Sequence, residues 1–558
     1  MRWLMKSMVS LILIVILFII IIYAFIQTQW GAQKTSEWLT QYTDYDIRFS
    51  GIEHDLMQPE QVIVHDLSVN PKQDKTTVFA KSAQIRFNWQ FFTAPSHLQK
   101  ITLENGNIEF TNKAPSIPLS ADILQFKNMI LNSTNTDFSF EANKVTGGIT
   151  PWAPTSEDFI GAGHFQFSIA NGAINNNEFS NFIISGQYQP NNIQIEKLGT
   201  RLLNGSLSLS GQYQDNQWKF DEVYMNGLRW QSSQTFSDLI QSISKYPHIS
   251  IRALNIVDFT AEGKQWAVSG FDGQFSQFDW DKNLTFTMGE LNANDVVFQD
   301  EHFTDLIAKL NQQNNQLNLD NLSLRYEKGL IKLAGDWNKD SKTISIHEAT
   351  LSGLLYTLPE NWLTFLAKPI DNSSDIQNIT IEQLSINQSI LIDITPEFPF
   401  QFTGLTGKLQ NLIIAKEGEW GLWQGSAILN ADSGTLNRIE LRRPDLHLVT
   451  QQDNAIVEQY SAFIGDGIVR GSAGLVQSNQ QRQFSLIANG LNVPLSTPYT
   501  LGLKTTYSDE IGQFTLKLKG NLRASPVIST LNGTLTGSKG EQQILNSEIQ
   551  NGEIINHL

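Results

Sequence analysis

Residues 193–213 read IQIEKLGTRLLNGSLSLSGQY, and residues 317–337 read LNLDNLSLRYEKGLIKLAGDW. Ile193, Ile195, Leu198, Gly205, Leu207, Leu209, Gly211 and Tyr213 of the first stretch recur in the second. There they are Leu317, Leu319, Leu322, Gly329, Ile331, Leu333, Gly335 and Trp337, each 124 positions on (329 − 205 = 124). Residues 206–210 alternate polar and apolar, which places one set of side chains on each face of a strand. Asn204-Gly205 between two such runs is a hairpin signal. The two stretches therefore predict the same pair of strands, used twice.

The correspondence extends outward. Gly227-Leu228 matches Gly353-Leu354, a helical pattern over 236–246 matches one over 361–368, and each helix stops before a proline, Pro247 or Pro369. Ile249, Ile251, Leu254 and Ile256 then match Ile379, Ile381, Leu384 and Ile386, and Gly270-x-x-Gly273 matches Gly404-x-x-Gly407. A third copy runs through Gly467, Val469 and Asn489-Gly490-Leu491. Repeats over about 180–304, 305–430 and 431–536 are expected, stacked into one quasi-linear body. Asn-Gly pairs also begin at 105, 171, 226, 489, 532 and 551, so 46–536 reads as mostly antiparallel β. Ile456, Val457, Tyr460 and Phe463 have helical spacing, and the polar stretch 537–558 is expected to be a disordered tail.

Upstream, residues 9–26 read VSLILIVILFIIIIYAFI, 18 positions (26 − 9 + 1) with Ser10 as the clearly polar one. At ~1.5 Å per residue this is about 27 Å, close to a hydrocarbon core. It exceeds the apolar core of a cleaved signal, and Gln27-Thr28-Gln29-Trp30 is not a small-residue cleavage site. Arg2 and Lys6 precede it and the next charge is Lys34, so residues 1–8 are predicted to be cytoplasmic and the rest to lie across the membrane. Over 27–45, Trp30, Lys34, Trp38 and Leu39 predict an amphipathic helix at the membrane exit.

The 558 residues carry a net charge of −16, which argues against nucleic acid as a partner. There is no cysteine, which removes thiol nucleophiles, disulfides and cysteine-held metals. The nine histidines show no ligand spacing, and neither a nucleophile elbow nor a phosphate loop is present. No enzyme, cofactor or metal is expected. What remains is an apolar stripe: Leu207, Leu209, Ile331 and Leu333 share one face of equivalent strands. It reads either as a core closed on itself or as an open groove for acyl chains.

The apolar run followed by Thr28-x-Trp30-Gly31-Ala32 and Trp38-Leu39 resembles the start of AsmA-family proteins of Gram-negative bacteria. Leu103-Glu104-Asn105-Gly106, Gly147-Gly148 before Pro151-Trp152, Tyr356-Thr357-Leu358-Pro359 before Asn361-Trp362, Trp420-Gly421-Leu422-Trp423 and Arg442-Arg443-Pro444 follow in the same order. The resemblance implies a single-pass inner-membrane anchor and a periplasmic, U-shaped β-groove akin to chorein-type lipid-transfer proteins. It further implies phospholipid and other envelope proteins as partners, in phospholipid supply to the outer membrane or in outer-membrane protein assembly and targeting. It carries no catalytic residue.

Overall fold

The computed structural model describes residues 2–72, 77–88, 96–110, 119–134, 139–155, 161–243, 248–280, 284–299, 301–396, 398–477, 482–500, 503, 510–524 and 526–556. Two compact units divide the chain: Met1–Lys264 with Asp272–Thr285, and Gln265–Phe271 with Phe286–Leu558. Both are built mostly of strands.

The first unit opens with α1 (Arg2–Ile26) and α2 (Gln29–Tyr42). Thr28 caps α2 by accepting from the Gly31 amide at 3.1 Å, which satisfies one of the free N–H groups of the first turn. Among the described residues no single helix is long and apolar enough to cross a membrane. The pair Leu13–Ile26 and Gln29–Tyr42, bent by 88°, has the length and composition to do so together. Strands β1 (Tyr45–Arg48) and β2 (Gly51–His54) both pair antiparallel with β3 (Gln61–Pro71). From β3 onward each strand bonds to the next in the chain as far as Gln217–Asn226. The second unit, from Met288–Phe298 to Glu553–Asn556, follows the same order except at two places: Thr343–Ser352 bonds to Asn378–Asp393 past Leu355–Thr357, and Glu419–Asn430 bonds to Ile439–Gln451 past Ser433–Leu436.

The repeat is visible in the hydrogen-bond register. Ile193 faces Tyr213, Ile195 faces Gly211, Leu198 faces Leu209 and Leu202 faces Gly205. In the second unit Leu317 faces Trp337, Leu319 faces Gly335, Leu322 faces Leu333 and Tyr326 faces Gly329. The third copy keeps the pairing 262 positions beyond the first (467 − 205): Ala455 faces Leu475, Val457 faces Ala473, Tyr460 faces Gly471 and Ile464 faces Gly467. All three hairpins carry a bulge at one place, and its two residues are exposed and polar: Glu196-Lys197, Asp320-Asn321 and Glu458-Gln459. A bulge opposes two residues to one and shifts the in–out alternation by a place. This explains why 456–463 is not the helix its spacing suggests. The segment is strand Asn454–Ile464, in which the three-residue step over the bulge imitates a helical period.

The expectation of antiparallel pairing holds for most strands but not all. Gln217–Asn226 and Arg229–Thr235 both run parallel to Ile249–Lys264, with α3 (Phe236–Ile243) in the crossover. Thr343–Ser352 and Leu355–Thr357 run parallel to Asn378–Asp393, with α4 (Trp362–Ala367) in the same role. A helix lets the chain return to the same end of the sheet, which a tight hairpin cannot do. Gly227 and Gly353 sit where the strand turns toward each crossover, at φ +65° and +62°. An added Cβ would meet open space at Gly353, so its conformation, not lack of room, favours glycine there. In the third copy this unit is replaced by antiparallel strands Gln483–Pro494 and Ile511–Asn521.

The polar stretch from Gly537 is ordered, contrary to the expectation from composition. It forms strands Asn532–Lys539, Gln542–Gln550 and Glu553–Asn556, whose alternate residues Leu545 and Ile549 are both 1% exposed. These few apolar residues suffice because Leu545 and Ile549 lie on the inner face, with Ile544 and Ile554 packed against the same cluster. Leu545→Ala or Ile549→Ala is expected to cost ~2–5 kcal/mol. Chemical denaturation would show it, and an unchanged midpoint would return the segment to a disordered tail.

A second bulge recurs between the next two strands. It leaves Asp221 unpaired between Phe220 and Glu222, and His347 between Ile346 and Glu348. Asp221 lies 3.7 Å from Arg252, while His347 lies 3.0 Å from Glu382 and 2.9 Å from Asp336. The ion pair is kept and its polarity reversed. The hydrogen bond to Glu382 holds the His347 pKa above its ordinary value; desolvation opposes it, and the charges of Glu382 and Asp336 add to it. A raised folded-state pKa stabilises fully below about pH 6.5, the unfolded value, and the effect is lost as pH rises through the folded value. The melting temperature of wild type should therefore exceed that of His347→Gln most below pH ~6.5, with the gap closing at alkaline pH. A gap that widens with pH would contradict the assignment.

Candidate functional site: an apolar row across each sheet

Directly paired residues lie on the same face of a sheet, so the register can be followed from strand to strand. Leu209 faces Leu198 on one side and Val223 on the other, and Val223 faces Leu254. From Leu198 the row passes through Ile184, Phe167, Gly147 and Phe126. It continues through Leu103, Ala83 and Val64 to Ile52. No polar side chain interrupts it.

Leu333 belongs to a corresponding row in the second unit. It faces Leu322 and Ala349, and the row runs back through Ala308 to Leu291. Forward it passes through Leu384, Leu409, Ala427, Leu448, Val457, Ala473 and Leu486. Leu518, Gly533, Ile549 and Ile554 complete it. At ~4.8 Å per strand the rows measure roughly 50 Å and roughly 70 Å along the ladder. Ile331 starts the row beside it, facing Leu324 and Leu351, with Ile386, Gly407 and Leu429 beyond. Leu207 does the same in the first unit, between Thr200 and Met225.

All four sequence-predicted residues, Leu207, Leu209, Ile331 and Leu333, are half-buried. Within its own unit each pair is brought onto the apolar face. Leu207 and Leu209 pack against a small cluster of Val223, Ile251 and Leu254. The rows close where they meet two buried clusters. Phe126, Met129 and Val145 belong to a large buried cluster in the first unit, and Leu516, Leu535 and Ile549 to another in the second. Between these, the leucines at 322, 333, 384 and 409 are half-buried while the alanines at 308, 349 and 427 are buried.

Beside the second buried cluster lies an apolar cavity of about 340 Å³ that sequence reasoning missed. Leu446, Val457, Tyr460, Ala473, Leu486 and Leu516 line it, together with Thr497 and Pro498 of α5 (Thr497–Thr500). Gly471 stands where the other copies have Leu209 and Leu333. A Cβ there would come within 2.6 Å of the Tyr460 hydroxyl and 1.8 Å of the Ile487 carbonyl oxygen. That hydroxyl donates to Ile487 O at 3.0 Å, and burial pushes its pKa well up, so it stays neutral beside the cavity. The exchange of leucine for glycine, readable once the third hairpin is aligned at Gly471, makes room for the Tyr460 ring that lines the cavity. Among the described residues no group of His, Asp or Glu could hold a metal ion.

Fold and site define a repeat-built β protein, led by an apolar helix, that carries a partly open apolar strip on each of its two units. Among curated proteins the chain is similar to the AsmA family protein YicH of Escherichia coli (strain K12). The two are 29% identical over 553 residues, 97% of this chain and 96% of that one. This end-to-end likeness supports membership of the AsmA family. No family model matches the chain, and no solved structure matches it.

The half-buried state of the row yields a contrast. Leu209→Asp and Leu333→Asp should leave the protein folded, since water reaches both sites, whereas Leu535→Asp at 0% exposure must desolvate a charge at a cost of several kcal/mol. Circular dichroism melts separate them: Leu209→Asp and Leu333→Asp unfolding as readily as Leu535→Asp would make the row a closed core.

Proposed function

We propose that the chain is a non-enzymatic inner-membrane protein of the Gram-negative envelope that binds phospholipid acyl chains along its apolar rows and passes them toward the outer membrane. The observation that carries this reading is the unbroken apolar row whose middle leucines remain half-buried. Burying apolar area is worth about 25 cal/mol per Å², so a strip left partly wet favours an apolar occupant. A long, one-dimensional strip suits chains more than compact ligands. Anchoring by α1 and α2 supports the same reading, because lipid can then leave the bilayer without exposing its tails to water. Arg2 and Lys6 before the apolar run favour a cytoplasmic N-terminus and a periplasmic body. The rows would form the floor of an open groove.

Neighbouring residues on one strand give the test. A photo-crosslinking residue at Leu333 should form phospholipid adducts in cells, and one at Lys332, exposed on the other face, should not. Protein adducts at Leu333 without lipid would overturn the proposal in favour of a scaffold for outer-membrane assembly.

A further inference from the structure

The turn between β2 and β3 is polar in construction and apolar at its tip. Asp55 accepts from the Gln58 amide through its carbonyl at 2.9 Å and from the Met57 amide through Oδ1 at 2.8 Å. Leu56 and Met57 are nevertheless 74% and 89% exposed. Single exposed hydrophobic residues are ordinary on protein surfaces, so exposure alone decides nothing. Position decides it.

The turn is fastened to the side of α1. The Tyr23 hydroxyl lies 2.9 Å from His54 Nδ1 and 3.2 Å from the His54 carbonyl oxygen, and the two rings meet edge to face at 5.4 Å. On the far side of the imidazole, Nε2 lies 3.1 Å from the Pro59 carbonyl, which can only accept; Nε2 therefore carries the proton and Nδ1 accepts from Tyr23. Gln27 adds a donor to the His54 carbonyl at 3.4 Å. His54 thus ties both ends of the turn to the last turn of the apolar helix and the residue that follows it. That helix presents nothing but exposed hydrophobic side chains from Leu13 to Ile22. Beyond it α2 leaves at 88° and exposes Trp30, Trp38 and Tyr42, the residue types that settle at a membrane interface.

We propose that Leu56 and Met57 dip into the bilayer on the side where α2 emerges, as a second membrane contact beside the helix pair. The occupant of this surface is lipid, because Tyr23 lies inside the apolar run and a turn bolted to it sits at the boundary of headgroups and acyl chains. The contact has a use: Ile52, the first residue of the apolar row in this unit, is two residues before His54 on β2. The turn would therefore hold the beginning of the row against the membrane from which lipid is drawn. This deepens the proposed function and rests on its anchor.

The absence of cysteine makes the test direct. Leu56→Cys and Met57→Cys, each the single cysteine of the full chain, are labelled with an environment-sensitive fluorophore and reconstituted into phosphatidylethanolamine–phosphatidylglycerol vesicles. A nitroxide on a shallow acyl carbon serves as quencher. Ile20→Cys reports the anchor, and Asn176→Cys reports the turn at the opposite ends of the strands. Quenching at 56 and 57 at least threefold that at 176 is expected. Quenching at 20 with none above the level of 176 at 56 and 57 overturns the inference and leaves the anchor standing. No quenching at 20 overturns the anchor reading, and this inference with it.

Discussion

The apolar rows depend on register, and register depends on the bulge shared by the three hairpins. Side chains alternate with a period of two, so a slip of one residue would carry every strand's polar set onto the apolar face. The bulged pairs Glu196-Lys197, Asp320-Asn321 and Glu458-Gln459 absorb one extra residue where the alternation would otherwise fail, and their polar side chains are exposed. Leu198, Leu322 and Tyr460 thereby return to the face of Ile195, Leu319 and Val457. The bulge costs local ladder bonds, and in exchange the strand twists more strongly.

Size variation along the row then sets where it is closed. Where the rows close, large side chains fill them: Phe126 approaches Phe167 across Gly147 with ring centroids 5.9 Å apart, and Leu535, beside the second row, is wholly buried. In the second unit's middle, Ala308, Ala349 and Ala427 alternate with leucines. A short side chain between long ones leaves a step in the surface that its neighbours do not fill. Beside the row, Gly471 replaces leucine and the Tyr460 ring takes the space above it, while the cavity is lined by that ring with Leu446, Leu486 and Leu516.

Much of this was legible in the sequence, and for a physical reason. The 124-residue offset survives because equivalent residues face equivalent partners, so spacing alone places Leu209 and Leu333 on corresponding faces. What could not be read is whatever depends on partners far along the chain. The helical spacing at Ile456 to Phe463 becomes a bulged strand when Gly467–Val476 pairs with it. The segment from Gly537 is polar by composition, yet Leu545 and Ile549 acquire a core from Leu516 and Leu535. The parallel crossovers at Ile249–Lys264 and Asn378–Asp393 have no local signature beyond the helix that permits them. Whether the stripe was closed or open turned on side-chain volume across a dozen strands.

The edge of the first sheet carries the remaining argument. An unpaired edge strand is a template for unwanted association, and β1 is the edge here. It is covered by α2: the Ser36 and Thr40 hydroxyls donate to the Ile47 carbonyl at 2.6 and 2.9 Å, and Thr40 accepts from the Ile47 amide at 2.9 Å. Lys72, just beyond β3, donates to the Thr40 and Thr43 carbonyls at 2.7 and 2.8 Å, satisfying acceptors at the C-terminal end of the helix. One helix therefore both blocks the edge and fixes its own direction relative to the strands. With Tyr23 tied to His54, α1 and α2 are each held by side-chain hydrogen bonds to this edge of the sheet, one through β2 and the other through β1. A hinge at residues 27–28 would need to break at least one of the two sets. The angle between the apolar helix and the first strands is thus a property of the fold rather than of a loose linker.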